Sequence, residues 1–176
     1  MQIAEIRQLR SHLGGAHYVE AVDLIRRFDA DTYVAALDSW GWIPGVASLA
    51  PRLASAFGDV FLEGDGGFWF LDTIGGTLQH RWPDGAALQA DINTPASQEE
   101  LLMPELVAAA TDVGLVPGRA QVLSFKIPPV LGGSLAVENM EVSDFVVALT
   151  VSGQIHRQVK DLPPGTPISG ISVDGR

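Results

Sequence analysis

The stretch FGDVFLEGDGGFWFLDTIGGTLQHRW, residues 57–82, constrains the fold more than any other part of the chain. Three short apolar or aromatic runs, Val60-Phe61-Leu62, Phe68-Trp69-Phe70-Leu71 and Leu78-Gln79-His80, are separated by Gly64-Asp65-Gly66-Gly67 and Ile74-Gly75-Gly76. Asp and Gly tolerate the positive φ that tight hairpin turns demand. The runs are also too short for helices, so the pattern predicts a three-stranded antiparallel meander. Strands this bulky need cover from helices or a second sheet. The expected fold is therefore α+β: a single domain in which an antiparallel sheet packs against several helices.

The helices are read from apolar spacing. Val19, Val22, Ile25 and Phe28 recur at three to four and predict a helix over residues 18–28, entered after Gly14-Gly15. DTYVAALDSW predicts another, with Asp31 as N-cap and Gly41 at its end. Pro44, Gly45 and Pro51 break the pattern over residues 41–56, which read as a loop with at most a short helix. A helix is expected near residues 83–92. Ser97-Gln98-Glu99-Glu100 has the form of a capping box ahead of Leu101, Leu102, Leu106, Val107 and Ala110, with Pro104 in the early turns and Gly114 and Pro117-Gly118 as stops. QVLSFKIPPVLGG reads as a strand running into a Pro-Gly loop. Val142, Phe145, Val146, Leu149, Gly153 and His156 then follow a helical stripe with Asn139 as N-cap. The β-branched residues there speak for a strand, but length and the lack of alternation favour the helix.

Composition narrows the function. The chain has 176 residues, 47% of them hydrophobic and 18% charged, enough to bury a core and too apolar for disorder. No apolar run approaches the roughly 20 residues of a membrane span. The N-terminal MQIAEIRQLR lacks the layout of a signal peptide, so a cytoplasmic location is expected. There are no cysteines, which removes disulfides, thiol catalysis and thiolate metal sites. The net charge of −10 argues against binding phosphate backbones; it attracts basic partners, and it equally serves simply to keep the chain in solution. Both halves of the chain are acidic, so no basic half is hidden within it.

Catalytic motifs are sparse. His12 and His17 are five apart and match no HExxH pattern; His80 and His156 stand apart from them. Asp59, Glu63 and Asp65 lack the ligand spacing of a calcium loop. Gly75-Gly76 and Gly132-Gly133 belong to no phosphate-binding motif, and there is no GxSxG elbow. No cofactor is expected. Residues 153–168, GQIHRQVKDLPPGTPI, are denser in polar chemistry: Gln154 and Gln158 lie four apart, as do His156 and Lys160. Cations there complement the carbonyl end of a helix that Pro163-Pro164 terminates, so the segment reads first as a capped helix end.

AFGDVFL (56–62), FWFLDTIGGTL (68–78), LGGSLAVENMEVSD (131–144) and GQIHRQVKDLPPGTPI occur in an order and spacing that resemble the C-terminal domain of immunity proteins protecting bacteria from type VI secretion DNase effectors. The resemblance covers residues 50–170 and extends distantly to the SMI/KNR-like immunity superfamily. Residues 1–49 stand where that family often carries a longer GAD-like domain, with DSWGWIPG as its remnant. The resemblance implies an α+β domain without catalytic activity that binds a cognate toxin and blocks its active or DNA-binding surface.

Two readings follow. In the first, a cytoplasmic immunity protein meets a basic nuclease through exposed acids: Glu63, Asp65, Asp72, Glu138 and Glu141. In the second, an enzyme or small-ligand receptor has a pocket near His156, Gln154, Gln158 and the aromatic strand at Phe68 to Phe70.

Overall fold

The computed structural model describes residues 24–163, 166, 168 and 170–173. The meander forms as the turn chemistry dictates. Strands Val60–Gly64 (β3), Gly67–Asp72 (β4) and Thr77–Trp82 (β5) pair antiparallel, with Phe61 opposite Phe70 and Leu71 opposite Leu78. Asp65-Gly66 makes the first turn, and Gly66 and Gly67 take φ of 89° and 133°. Two further strands, Ile25–Arg26 (β1) and Ala50–Ser55 (β2), complete a five-stranded sheet in chain order.

Both added strands overturn the sequence expectation. Residues 41–56 hold β2 as well as a short turn of helix at Val46–Ser48. Pro51 is tolerated because, among the described residues, β1 pairs only with Ala54 and Ser55, which leaves the proline on a free edge beside a register shift. The helix expected over 18–28 is a strand at Ile25–Arg26; residues 18–23, with Gly14-Gly15, lie outside the described residues. The apolar spacing there did not mark one face, since Ile25 and Phe28 enter different cores.

Strand alternation sends side chains to two covered faces. Ala54, Val60, Leu62 and Leu71 point one way, beneath helix Ala30–Leu37 (α1) and the long helix Phe145–Val159. Leu53, Phe61, Phe70 and Trp82 point the other way, beneath helices Gly85–Ile92 (α2) and Pro95–Leu102 (α3). This is why Val60, Phe61 and Leu62 are all fully buried. A third core joins helix Pro104–Asp112 (α4) to a two-stranded sheet of Gln121–Phe125 (β6) and Met140–Asp144 (β7) through Val107, Leu123 and Met140. Residues on both sides of position 49 thus share one core, with Trp40 and Val46 against Leu62 and Leu149.

Several helix boundaries differ from expectation for local reasons. Asp29, not Asp31, caps α1: its Oδ1 accepts from the Thr32 N–H at 2.8 Å, while Asp31 sits in the first turn. Thr94 caps α3, with Pro95 at the first position; Ser97 lies inside the helix and donates to Asp91 at 2.6 Å, so the expected capping box does not form. Pro104 disfavours the α conformation for the residue before it. Met103 ends α3 as a left-handed C-cap at φ 46°, its N–H donating to the Gln98 carbonyl, and so divides the expected single helix into α3 and α4. The final helix, α5, begins at Phe145 rather than Val142. Asp144, not Asn139, caps it, accepting from Val146 and Val147, while Val142 belongs to β7.

DSWGW binds α5 to the sheet. The Trp40 indole donates to the Leu149 carbonyl at 3.0 Å, and the Trp42 indole to that of Gly153 at 3.1 Å. Gly153 is necessary at this crossing, because a Cβ would meet the Ser39 hydroxyl and come within 2.9 Å of the Ser39 carbonyl. Gly153→Ala should therefore lower stability by about 1–3 kcal/mol, although alanine would otherwise favour a helix by about 1 kcal/mol. Urea unfolding measures the difference, and an unchanged or raised midpoint would show that the crossing can relax.

Candidate functional site

The Ala56-Phe57-Gly58-Asp59 turn carries an acid into the interior. Gly58 takes φ 88° where α5 passes, and a Cβ there would come 2.7 Å from the Leu149 side chain. Asp59 is 2% exposed. Its Oδ2 accepts from the Ser55 hydroxyl at 2.8 Å, and its Oδ1 accepts from both the N–H and the hydroxyl of Thr73 at 2.9 Å. Ser55 Oγ accepts in turn from the N–H groups of Phe57 and Asp59. Burial pushes the Asp59 pKa up to about 6, the charge of Asp72 adds to the rise, and the hydrogen bonds from Ser55 and Thr73 oppose it.

Asp72 folds the next turn, its Oδ1 accepting from Ile74 and Gly75 N–H at 3.0 and 2.7 Å. Gly76, at φ 71°, leaves room for His156, whose Cε1 would lie 2.7 Å from a Cβ at that position. His156 is buried, with its ring 5.7 Å from that of Trp40. Burial lowers its pKa, opposed by hydrogen bonds to the Thr73 and Ile74 backbone and by Asp72. Ser152 adds a 2.7 Å bond to the Thr73 carbonyl. Gln158 exchanges hydrogen bonds with the Ser172 backbone and donates to the Gln154 carbonyl. This polar segment fastens α5 to a sheet turn and to the following chain. Phe68 and Phe70 pack on the opposite sheet face, so they are not brought together with His156. His80 lies exposed at the sheet edge, its Nε2 3.0 Å from the Gly66 carbonyl; His12 and His17 are outside the described residues.

The five acids expected to meet a partner fall into separate groups. Glu63 pairs with Arg52 at 2.6 Å near the β3–β4 hairpin, and Asp65 is exposed at its tip. Asp72 terminates β4, roughly 17 Å from that tip at about 3.3 Å per residue. Glu138, in the turn Val137–Asn139, and Glu141, opposite Ser124 in β7, are exposed on the third-core side. Among the described residues, neither these two nor Asp65 has an ion pair.

Two open clefts accompany these groups. One, of about 250 Å³, lies between Pro44, Leu49, Gly64, Asp65 and Trp69. The Trp69 indole N–H beside it is buried without an acceptor among the described residues. The other, of about 210 Å³, is lined by Asp59, Asp72, Arg81, Glu100, Met103 and Leu135. Arg81 gives Glu100 two hydrogen bonds, at 2.5 and 3.2 Å, which raise the Arg81 pKa and lower that of Glu100. The sequence reading missed this second grouping. Its clearest signal was Asp59, an acid set inside the apolar run AFGDVFL.

No family model matches the chain, and no curated protein matches it. Among solved structures it is similar to Atu4351 from Agrobacterium tumefaciens, with a TM-score of 0.54 and 17% identity over 86% of this chain and 75% of that one. The likeness shows a shared fold.

Asp59 has a measurable consequence. Its folded-state pKa of about 6 stands above the ordinary 3.8, so the folded protein retains a proton that the unfolded chain has released. The stabilising contribution is full below about pH 4 and falls away as pH rises through about 6. The stability of wild type relative to Asp59→Asn should therefore fall by about 2 kcal/mol between pH 4.5 and 8. Urea unfolding across that range tests it, and a constant difference would place the Asp59 pKa at an ordinary value.

Proposed function

We propose that this chain is a non-enzymatic cytoplasmic immunity protein that binds and neutralises a cognate secreted toxin of the type VI class, a nuclease. The observation carrying the reading is its surface charge. The chain has net charge −10, and Asp65, Glu138 and Glu141 stand exposed without ion pairs among the described residues. Such a surface attracts a protein evolved to grip nucleic acid, whose binding face is basic. The motif resemblance supplies the toxin class. Among the described residues no helix is long and apolar enough to cross a membrane, consistent with action on a protein partner.

A tagged pull-down from the native cells, read by mass spectrometry, should return one stoichiometric basic partner, and co-expression should protect cells from it. Electrostatic steering further predicts that Glu138→Lys with Glu141→Lys slows association about tenfold, as does raising salt from about 50 to 500 mM. Stopped-flow mixing measures both. Rates insensitive to salt and charge would remove the electrostatic mechanism, and an unprotected cell would remove the immunity reading itself.

A further inference from the structure

The connection between β6 and β7 is braced by the side chain of Asn139 and leaves three aliphatic side chains exposed. Its neck closes where the Lys126 N–H donates to the Asn139 carbonyl at 2.8 Å. The Asn139 side chain accepts from the Ile127 N–H at 3.0 Å and donates to the carbonyls of Ile127 and Ser134 at 2.8 and 2.9 Å. Gly133 lies directly against the Ile127 carbonyl, where a Cβ would not fit. Internal turns bond Leu131 and Gly133 to Pro128 and Gly132 to Pro129. Outside this frame, Ile127 and Leu135 are each 56% exposed and Val130 is 37% exposed. Loop surfaces ordinarily present polar side chains, and a loop ordered beforehand loses little conformational entropy when a partner arrives.

The surroundings specify the partner's charge. Leu135 forms one wall of the cleft that Asp59, Asp72, Arg81 and Glu100 line, and the single guanidinium is already engaged by Glu100. The Lys126 ammonium donates to the Glu138 carbonyl at 3.0 Å, and the Glu138 side chain, in the same connection as the three aliphatic residues, is exposed. A second copy of a chain with net charge −10 would set acid against acid.

We propose that this loop is a docking surface for a basic protein partner, which lays an aliphatic patch on Ile127, Val130 and Leu135 and directs an arginine or lysine side chain into the cleft toward Asp72. The identity of that partner rests on the binding-protein reading above; the surface itself does not. The aliphatic stem of the cation would lie along Leu135 and Met103, with its charge at the carboxylates. An arriving cation would also offset the repulsion from Asp72 that adds to the rise burial imposes on the Asp59 pKa.

The test titrates the ¹⁵N-labelled full chain with a synthetic peptide of alternating leucine and arginine, alongside a peptide with glutamate in place of arginine. Shifts should concentrate at residues 126–139, 72–76 and 101–103, and the glutamate peptide should leave them unmoved. Ile127→Gln with Leu135→Gln, both exposed and so expected to preserve folding, should weaken peptide binding at least about tenfold. Asn139→Ala, which releases the loop while keeping its aliphatic residues, should weaken it less. Absent shifts, shifts on another face, or binding undiminished in the double variant would overturn the proposal. Testing the same variant for protection against the toxin separates the two claims. Protection equal to wild type would overturn the docking surface and leave the immunity reading standing. Failure of the wild type to protect, with the peptide still mapping to the loop, would do the reverse.

Discussion

One buried carboxylate joins the parts of this fold that have no covalent reason to meet. Asp59 takes the Ser55 hydroxyl at the β2–β3 turn and two donors from Thr73 at the β4–β5 turn. The Thr73 carbonyl then receives Ser152 from α5. Two strand junctions and the longest helix are thereby linked through one residue pair. An unpaired carboxylate at that depth would cost several kcal/mol, so the donors around it are a condition of its presence. The same bonds set the ends of β3 and β4, and with them the cleft beside Asp72.

What could be read beforehand was whatever local chemistry decides. The meander was legible because Asp65-Gly66 and Gly75-Gly76 have few alternatives to turning, and the helix near residues 83–92 because Asp84 precedes an apolar run. The parts decided by distant partners were not legible. Pro51 looks like a break until β1 is known to leave that edge free. Ser97-Gln98-Glu99-Glu100 looks like a helix start until Pro95 and Thr94 are seen to have begun the helix already. Residues 140–159 carry both β-branched and helical signals because they are both, strand to Asp144 and helix after it. Of the candidate site, the exposed acids were visible and their grouping was not. Asp72 lines a cleft to which Leu135 also belongs, and Glu138 follows Leu135 in the same loop, whereas Glu63 and Asp65 stand at the opposite end of the strands. The Asn139 side chain, which organises that loop, showed only as a cap candidate for a helix that begins six residues later.

The polar segment at the end of α5 shows how rich chemistry can serve a structural purpose. His156, Ser152 and Gln158 each find backbone partners, and the imidazole lies under the indole of Trp40. The surface groups without partners lie elsewhere: the acids of two turns and the aliphatic side chains of one rigid loop. Among the described residues, the polar groups at the end of α5 are thus bound to backbone, while exposed charge and exposed apolar area lie on other parts of the surface.

The crossing of DSWGW over α5 also governs when the molecule can finish folding during its synthesis. Trp40 donates to a carbonyl 109 residues further along the chain. A ribosome adding about 5–20 residues per second needs roughly 5–20 s to make that span. The meander can assemble during that interval, but the face it shares with α1 lacks the α5 part of its cover until residues 145–159 are made. The newly made chain therefore passes through a stage in which Trp40 and the residues that pack against α5 await their partner.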